Sequence, residues 1–291
     1  MNPVSNSCQI CGECFGEHIP YPSLNNNSLQ FSVISICSGC GLGAATPTKT
    51  QATLDQYYNS GEYWSDTVEP SPALSQHYSS QAKERIRKSV KYITAQNIDI
   101  LDIGAGQGWI GHWASVFLGG SLKSVDLIEP DEDLNNTFGE NTTRYSSLEE
   151  CNKKYDLIFM NHVFEHVAEP VEFMKKVISY LKPGGIVYVE VPNEDWKYKE
   201  DVLPHTFFFT ELALTSLGKR LGVNTMGCHA FGVGRSKLLQ NITLRDRVLN
   251  KLYSFAVKFK FEKISNRLDR YIWRYDKVHT DGIWLQWLFV K

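Results

Sequence analysis

A buried strand that runs directly into a glycine turn constrains the fold of this chain most. Residues 98–103 are a largely apolar strand pattern, and Gly104, Ala105, Gly106 and Gly108 follow before a helical pattern begins. At the carboxyl end of a first strand, such glycines let the backbone approach a ligand, and the helix N-terminus offers free N–H groups. The turn therefore predicts a nucleotide-like ligand, and a plain tight turn without a ligand is the alternative.

Strand and helix patterns alternate along the chain around this turn. A helix is predicted at about residues 81–96, strands at 124–128, 156–160 and 185–191, and a helix at 171–181. Alternation on this scale predicts an α/β fold with a parallel, doubly wound sheet. The apolar run at residues 283–290 suits a final strand of the same sheet.

Glu129 ends the second strand of the series, twenty-five residues after Gly104. A carboxylate at this position can accept hydrogen bonds from both hydroxyls of an adenosine ribose. A surface glutamate without a ligand is the alternative. Trp109 occupies the position where a dinucleotide-binding pattern needs glycine or alanine, which favours a ligand without a pyrophosphate.

A third motif lies at residues 155–167, Tyr-Asp-Leu-Ile-Phe-Met-Asn-His-Val-Phe-Glu-His-Val, followed by Leu-Lys-Pro-Gly-Gly at 181–185. Together with the glycine turn and Glu129, it resembles the signature of class I S-adenosylmethionine-dependent methyltransferases over residues 83–222. The resemblance implies a Rossmann-like sheet of seven strands whose last strand is antiparallel. It also implies an enzyme with S-adenosyl-L-methionine as its cofactor.

The resemblance further implies which residues hold the cofactor. Asp102 and the glycine turn would bind its amino-acid part, and Glu129 would bind the ribose. Asn161 and His162 would lie at the sulfonium end. His162 and His166 are four residues apart, which leaves a metal site as the less favoured alternative.

Five of the seven cysteines fall in the first forty residues. Cys8 and Cys11 form one C-x2-C pair, and Cys37 and Cys40 form a second pair twenty-five residues later. Two such pairs joined by a loop and a short strand predict a zinc ribbon whose four thiolates close a structural Zn²⁺ site. The alternative is a set of reduced, buried cysteines, and Cys14 has no predicted role.

His205 lies beyond the predicted strand at residues 185–191, where it could accept a proton from an acceptor hydroxyl. A histidine that only packs against the aromatic residues 207–209 is an equal alternative. The ribbon and residues 57–61 more loosely resemble deoxysugar C-methyltransferases, but those enzymes usually carry His-Glu-His where this chain has Leu203-Pro204-His205.

The predicted reaction is therefore O-methylation of a sugar, either a nucleotide sugar or a surface glycan. C-methylation of a nucleotide deoxysugar and methylation of a small metabolite remain open, as does a non-catalytic, cofactor-binding zinc scaffold. Small-molecule or glycan acceptors are the expected partners.

Charge is distributed unevenly. Residues 235–291 hold thirteen Lys/Arg and five Asp/Glu, so their net charge is +8, while the rest of the chain carries −10. Apolar residues at helical spacing predict two amphipathic helices between about residues 243 and 275, as a lid or homodimer contact. Peripheral contact with an anionic membrane is the alternative. Nucleic-acid binding is not expected, because the remainder is acidic.

The sequence shows neither a signal-peptide pattern nor the roughly 18 consecutive apolar residues of a spanning helix, so a cytoplasmic protein is expected. Five segments are predicted: a zinc ribbon at 1–47, a linker or substrate arm at 48–80, a methyltransferase core at 81–234, a helical insertion at 235–280 and a final core strand at 281–291.

Overall fold

The computed structural model describes residues 7–24, 28–60, 72–131, 141–238, 244–274 and 277–291. The chain divides into two compact units. The first unit comprises residues 1–66, 152–230 and 283–291, and the second comprises 67–151 and 231–282.

The described strands, in chain order, are β1 (Phe15–Pro20), β2 (Val33–Cys37), β3 (Gly43–Thr46), β4 (Ile98–Ile103), β5 (Leu122–Ile128), β6 (Thr142–Tyr145), β7 (Tyr155–Asn161), β8 (Leu181–Pro192), β9 (Phe207–Phe208), β10 (Asn224–Gly234) and β11 (Gly282–Val290). The described helices are α1 (Gln51–Asn59), α2 (Pro72–Ser89), α3 (Trp109–Leu118), α4 (Pro170–Ser179), α5 (Glu211–Leu221), α6 (Arg235–Leu238), α7 (Leu244–Lys258) and α8 (Glu262–Trp273).

In the second unit, β4, β5 and β6 run parallel to one another. All six residues of β4 are buried, as expected of a parallel strand that is covered on both faces. Asp102 is paired with Leu127 and Ile103 with Ile128. The carboxyl ends of β4 and β5 are therefore level, which places the glycine turn beside Glu129.

In the first unit, β7 runs parallel to β8, and β11 runs antiparallel to β8. The antiparallel last strand expected from the sequence is thus confirmed. β8 begins at Leu181, earlier than predicted, because the Leu-Lys-Pro-Gly-Gly segment is part of the strand. The two units together supply the seven strands of the predicted α/β sheet: β4, β5, β6, β7, β8, β10 and β11.

The cysteine-bearing segment has a second, four-stranded sheet in the order β1, β2, β3, β9. Its last strand comes from far along the chain, since Gly43 pairs with Phe208 and Ala44 with Phe207. A Cβ at Gly43 would lie 2.9 Å from Ile34 Cγ2 and 3.0 Å from Phe208 Cβ, so the close approach needs glycine. The segment 1–47 therefore shares its sheet with residues that the sequence assigned to the core.

The basic segment folds into α7 and α8, at the positions predicted for two helices. Among the residues that the structure describes, no helix has the length and apolar character needed to cross a membrane.

Candidate active site

The glycine turn adopts a backbone that few other residues tolerate. Gly104, Gly106 and Gly108 have φ of +69°, +51° and +74°, all in the left-handed region. The N–H groups of Gly104 and Ala105 both donate to the carbonyl oxygen of Ile128, at 2.9 and 3.0 Å. A Cβ built at Gly106 would have no neighbour within 4 Å, so the turn faces open space that suits a ligand.

Glu129 is held against this turn by the backbone. One carboxylate oxygen accepts a hydrogen bond from Gly106 N at 2.7 Å, and the other accepts one from Asp131 N at 3.1 Å. Burial raises the pKa of Glu129 above its ordinary value, and these backbone donors oppose that shift. Because each carboxylate oxygen has two lone pairs, both oxygens retain acceptor capacity for ribose hydroxyls.

Asp102 is buried near the end of β4. Burial raises the pKa of its carboxyl to about 8, while nearby Arg85 opposes that rise and Glu129 adds to it. A cationic ligand group, such as an amino-acid ammonium, would favour the charged form of this carboxyl. The residues expected to bind the amino-acid part and the ribose are thus brought together within the second unit.

Asn161 and His162, expected at the sulfonium end, lie at the end of β7 in the first unit. Among the described residues, the buried side-chain oxygen of Asn161 has no hydrogen-bond partner, as expected of a group that awaits a ligand. His162 Nδ1 lies 3.4 Å from Glu165, and its Nε2 lies 3.4 Å from Glu190. Burial would lower the pKa of His162, but the two carboxylates raise it to about 9.

His205 is buried and directly contacts a carboxylate that the sequence analysis missed. His205 Nδ1 lies 3.1 Å from Asp195 Oδ2, and Lys199 Nζ lies 2.8 Å from the same oxygen. Burial would raise the pKa of Asp195, but His205 and Lys199 hold it below its usual range. Asp195 follows the end of β8 by three residues, and such strand ends collect functional groups in α/β folds.

Glu165 and His166 also lie close to His205. The rings of His166 and His205 are 4.8 Å apart between centroids, and Thr206 N donates to the carbonyl oxygen of Glu165 at 2.8 Å. Burial lowers the pKa of His166 to about 4, so its ring is neutral near pH 7. Neither carboxylate oxygen of Glu165 forms a hydrogen bond with a described residue.

The four cysteines predicted to bind zinc converge in the first unit. Cys8 Sγ lies 3.7 Å from Cys40 Sγ, and Cys11 Sγ lies 3.3 Å from Cys37 Sγ. All four sulfur atoms lie within 4.8 Å of one another, which is compatible with one tetrahedral Zn²⁺ site. Cys14 is exposed and is not part of the group.

Comparison with known proteins identifies the family. The model of a methyltransferase domain matches residues 78–226, which are 149 of the 291 residues. The chain belongs to this methyltransferase family. The family predicted from the glycine turn, Glu129 and the motif at residues 155–167 is therefore confirmed.

Curated relatives match a shorter stretch of this methyltransferase. A ubiquinone biosynthesis O-methyltransferase from Bartonella tribocorum is 30% identical over 119 residues, which cover 38% of this chain and 48% of the relative. A protein of the same name from Caulobacter vibrioides is 29% identical over 111 residues, covering 35% of this chain and 44% of the relative. The chain thus spans about half the length of the curated relatives it matches.

A solved structure supports the fold. The complex between the Haloferax volcanii Trm112 methyltransferase activator and a putative methyltransferase matches with a TM-score of 0.50 and 14% identity, over 83% of this chain and 97% of the matched chain. At this identity the likeness concerns the fold alone. The methyltransferase has the Rossmann-like α/β fold that the sequence predicts.

Proposed function

We propose that this methyltransferase transfers a methyl group from S-adenosylmethionine to a hydroxyl oxygen of a small acceptor molecule. The observation that carries the proposal is the buried His205–Asp195 pair, with 3.1 Å between Nδ1 and Oδ2. A carboxylate on one ring nitrogen fixes the orientation of an imidazole and leaves the other nitrogen to accept a proton.

The cofactor residues fit S-adenosylmethionine, which when bound supplies a methyl group on a positively charged sulfur. The open backbone at Gly106 and the buried carboxyl of Asp102 would bind the amino-acid part. Glu129 would accept hydrogen bonds from the ribose. The unsatisfied amide oxygen of Asn161 would contact the sulfonium end. The glycine turn and Glu129 also suit a cofactor without a pyrophosphate.

His205 would take the hydroxyl proton as the oxygen attacks the methyl group. Asp195 remains negatively charged, because Lys199 and His205 hold its pKa low, and it would stabilise the imidazolium that forms. The relatives named O-methyltransferases support oxygen as the acceptor atom in this protein too. C-methylation remains the alternative.

We propose a sugar hydroxyl as the acceptor. Such a hydroxyl gives up its proton far less readily than a phenol, whose pKa is about 10 as in tyrosine, so it depends more on a positioned base. The relatives are named for ubiquinone biosynthesis, and an acceptor from that biosynthesis is the second candidate.

Glu165, His166 and His205 also offer ligand atoms within 4.8 Å of one another, which is the geometry of a possible metal centre. A carboxylate on one ring nitrogen accompanies metal-ligating histidines as well as bases, so the contact with Asp195 fits both roles. Elemental analysis distinguishes them, because a base leaves only the ion of the cysteine site, whereas a metal on His205 would add a second ion per chain.

We also propose that Cys8, Cys11, Cys37 and Cys40 hold one structural Zn²⁺. Two C-x2-C pairs with converging sulfur atoms leave no ligand position open, so the ion would stabilise the ribbon and not take part in the reaction. Elemental analysis of protein purified without chelators should give one zinc per chain.

The test of the function uses the full chain and S-adenosylmethionine labelled on its methyl group. The acceptor panel contains nucleotide sugars, free sugars and phenols. We expect label in a sugar methyl ether. The variant His205→Ala should lose most of this labelling. Label on a ring carbon, or on phenols alone, would refute the proposed acceptor.

A further inference from the structure

Helix α8 buries the polar residues Ser265 and Asp269, α7 buries Tyr253 and Ala256, and the segment that contains both helices exposes large apolar side chains. Seven large apolar side chains are 42–54% exposed on these helices, and we call them the apolar face: Val248, Leu252, Phe255, Phe259, Phe261, Ile264 and Tyr271. The sequence pattern predicts a lid or homodimer contact for such amphipathic helices, with peripheral membrane contact as the alternative. In the structure the apolar face is exposed to solvent. An exposed apolar surface of this kind is typical of a site that binds a partner.

The opposite side of α8 anchors the helix through polar contacts with α2 and through Trp273, whose ring centroid lies 4.9 Å from that of His77. Asp269 is fully buried and lies 2.8 Å from His77 Nδ1 on α2. Asn266 Oδ1 accepts hydrogen bonds from Gln76 Nε2 at 2.7 Å and from Ser80 Oγ at 3.0 Å. Buried polar contacts of this kind fix the orientation of the helix, so the apolar face cannot turn inward without breaking them.

Three phenylalanines form the centre of the apolar face. The ring centroids of Phe255 and Phe259 are 4.4 Å apart, and Phe261 lies 6.4 Å from each of them. These rings lie where α7 ends and α8 begins. They form one contiguous aromatic patch, which is larger than the single exposed apolar residues common on protein surfaces.

The segment that carries this patch is strongly basic. Between Leu244 and Arg274 the chain has nine Lys/Arg and three Asp/Glu, a net charge of +6, while the whole protein has −2. Eight of the basic residues are exposed: Arg245, Arg247, Lys251, Lys258, Lys260, Lys263, Arg267 and Arg270. Asp269 is buried, and Asp246 lies 3.4 Å from Lys237, so neither neutralises this surface.

We propose that α7 and α8 dock the protein on the surface of an anionic phospholipid bilayer. The phenylalanines would enter the boundary between headgroups and acyl chains, and the long basic side chains would reach the phosphates. A second copy of this chain fits poorly, because a two-fold contact would place eight exposed cations against eight. The docking is independent of the proposed methyl transfer.

The test is co-sedimentation of the full chain with phosphatidylcholine vesicles that contain or lack phosphatidylglycerol. We expect binding only to the anionic vesicles, and weaker binding as salt concentration rises. The variant Phe255→Ser/Phe259→Ser should bind at least about tenfold more weakly. Its matched control is Val116→Ser, since Val116 is an apolar residue of α3 that is 59% exposed outside the apolar face.

A second variant tests the charge. Lys251→Glu/Lys258→Glu should weaken binding at least about 25-fold, because each positive charge at a membrane surface contributes about fivefold. Lys219→Glu, an exposed lysine on α5, is its control. Circular dichroism should show that all variants remain folded. Equal binding to neutral vesicles, or unchanged binding of either double variant, would overturn the proposal. So would a wild-type protein that binds no vesicle but forms a dimer or binds an oligonucleotide through this face.

Discussion

The replacement Asp195→Asn tests whether His205 works as an oriented base. Asparagine has nearly the shape of aspartate, so packing at this buried position should be retained. It removes the negative charge that lies 3.1 Å from His205 Nδ1. We expect turnover to fall while the affinity for S-adenosylmethionine stays the same, because Asp195 has no proposed contact with the cofactor.

The size of the loss follows from the interaction removed. His205 Nδ1 and Asp195 Oδ2 are 3.1 Å apart but lack hydrogen-bond geometry, and the hydrogen bond that they could form once the imidazole is protonated would contribute about 1.5–3 kcal/mol. If that contribution is realised only when the imidazole becomes charged, its loss corresponds to a decrease in kcat of about 10- to 150-fold. Removal of the base itself by His205→Ala should cost about 10² to 10⁴-fold.

A double-mutant cycle separates this role from general damage. If Asp195 acts through His205, Asp195→Asn should cause little further loss in the His205→Ala background. Lys199→Gln is the matched control. Lys199 contacts the same oxygen of Asp195 as His205 does, but it has no proposed part in proton transfer. Its kcat should change by no more than about fivefold, because an ion pair with a solvent-exposed lysine contributes about 0.2–1 kcal/mol.

The reasoning is refuted if the losses from Asp195→Asn and His205→Ala simply add. Additive losses would mean that Asp195 stabilises the protein or the acceptor independently of His205. A lowered melting temperature together with weaker cofactor binding would likewise identify a structural role. Isothermal titration measures the affinity for S-adenosylmethionine, and steady-state kinetics on the labelled reaction measures turnover.

Three further changes test other parts of the structure. Glu129→Ala should remove most of the rise in melting temperature that S-adenosylmethionine causes, whereas an unchanged rise would contradict the ribose contact. Gly106→Ala should lower the free energy of unfolding by about 1 kcal/mol because φ is +51°. Calorimetry should show that the free energy of cofactor binding falls by more than this loss of stability. Cys40→Ser should release zinc and lower turnover while cofactor binding is retained, as elemental analysis and titration can check.

Stability should also depend on the pH through His166, whose side chain is only 16% exposed. Its pKa in the folded protein is lowered to about 4, against about 6.5 when unfolded, so the unfolded chain binds more protons between these values. Stability should therefore fall, by at most about 3 kcal/mol, as the pH drops from about 6.5 to 4. Urea unfolding of His166→Gln should show a flatter dependence in this range; an unchanged slope would contradict the burial effect.

Local patterns predicted the parts of this protein that depend on neighbouring residues in the sequence. The strand before Gly104 is largely apolar and buried throughout because both faces are covered, and the glycines are required by left-handed backbone angles. Glu129 could be located because the ends of adjacent parallel strands lie level. The paired cysteines could also be recognised from the sequence, because two C-x2-C pairs are typical of a metal site.

The sequence could not predict contacts that depend on tertiary folding. Asp195 follows β8 in a segment without a periodic pattern, and its role appears only when His205 is beside it. The pairing of β3 with β9 joins residues more than 160 positions apart, and β9 has only two residues. The sequence also left open whether α7 and α8 form a lid, a homodimer contact or a membrane contact, because periodicity shows that one side of a helix is apolar but not what that side contacts.

The position of the ribbon gives the cysteines an influence on His205. Tyr21 donates a hydrogen bond to the carbonyl oxygen of His205 at 3.0 Å, and Ala45 N donates to the carbonyl oxygen of Thr206 at 2.8 Å. Thr210 Oγ1 donates to the carbonyl oxygen of Cys40 at 2.8 Å. The backbone that carries the proposed base is therefore held by the same sheet that the four cysteines close. If zinc orders that sheet, metal loss should misplace His205 before it affects the glycine turn in the second unit, because only the first unit contains these hydrogen bonds.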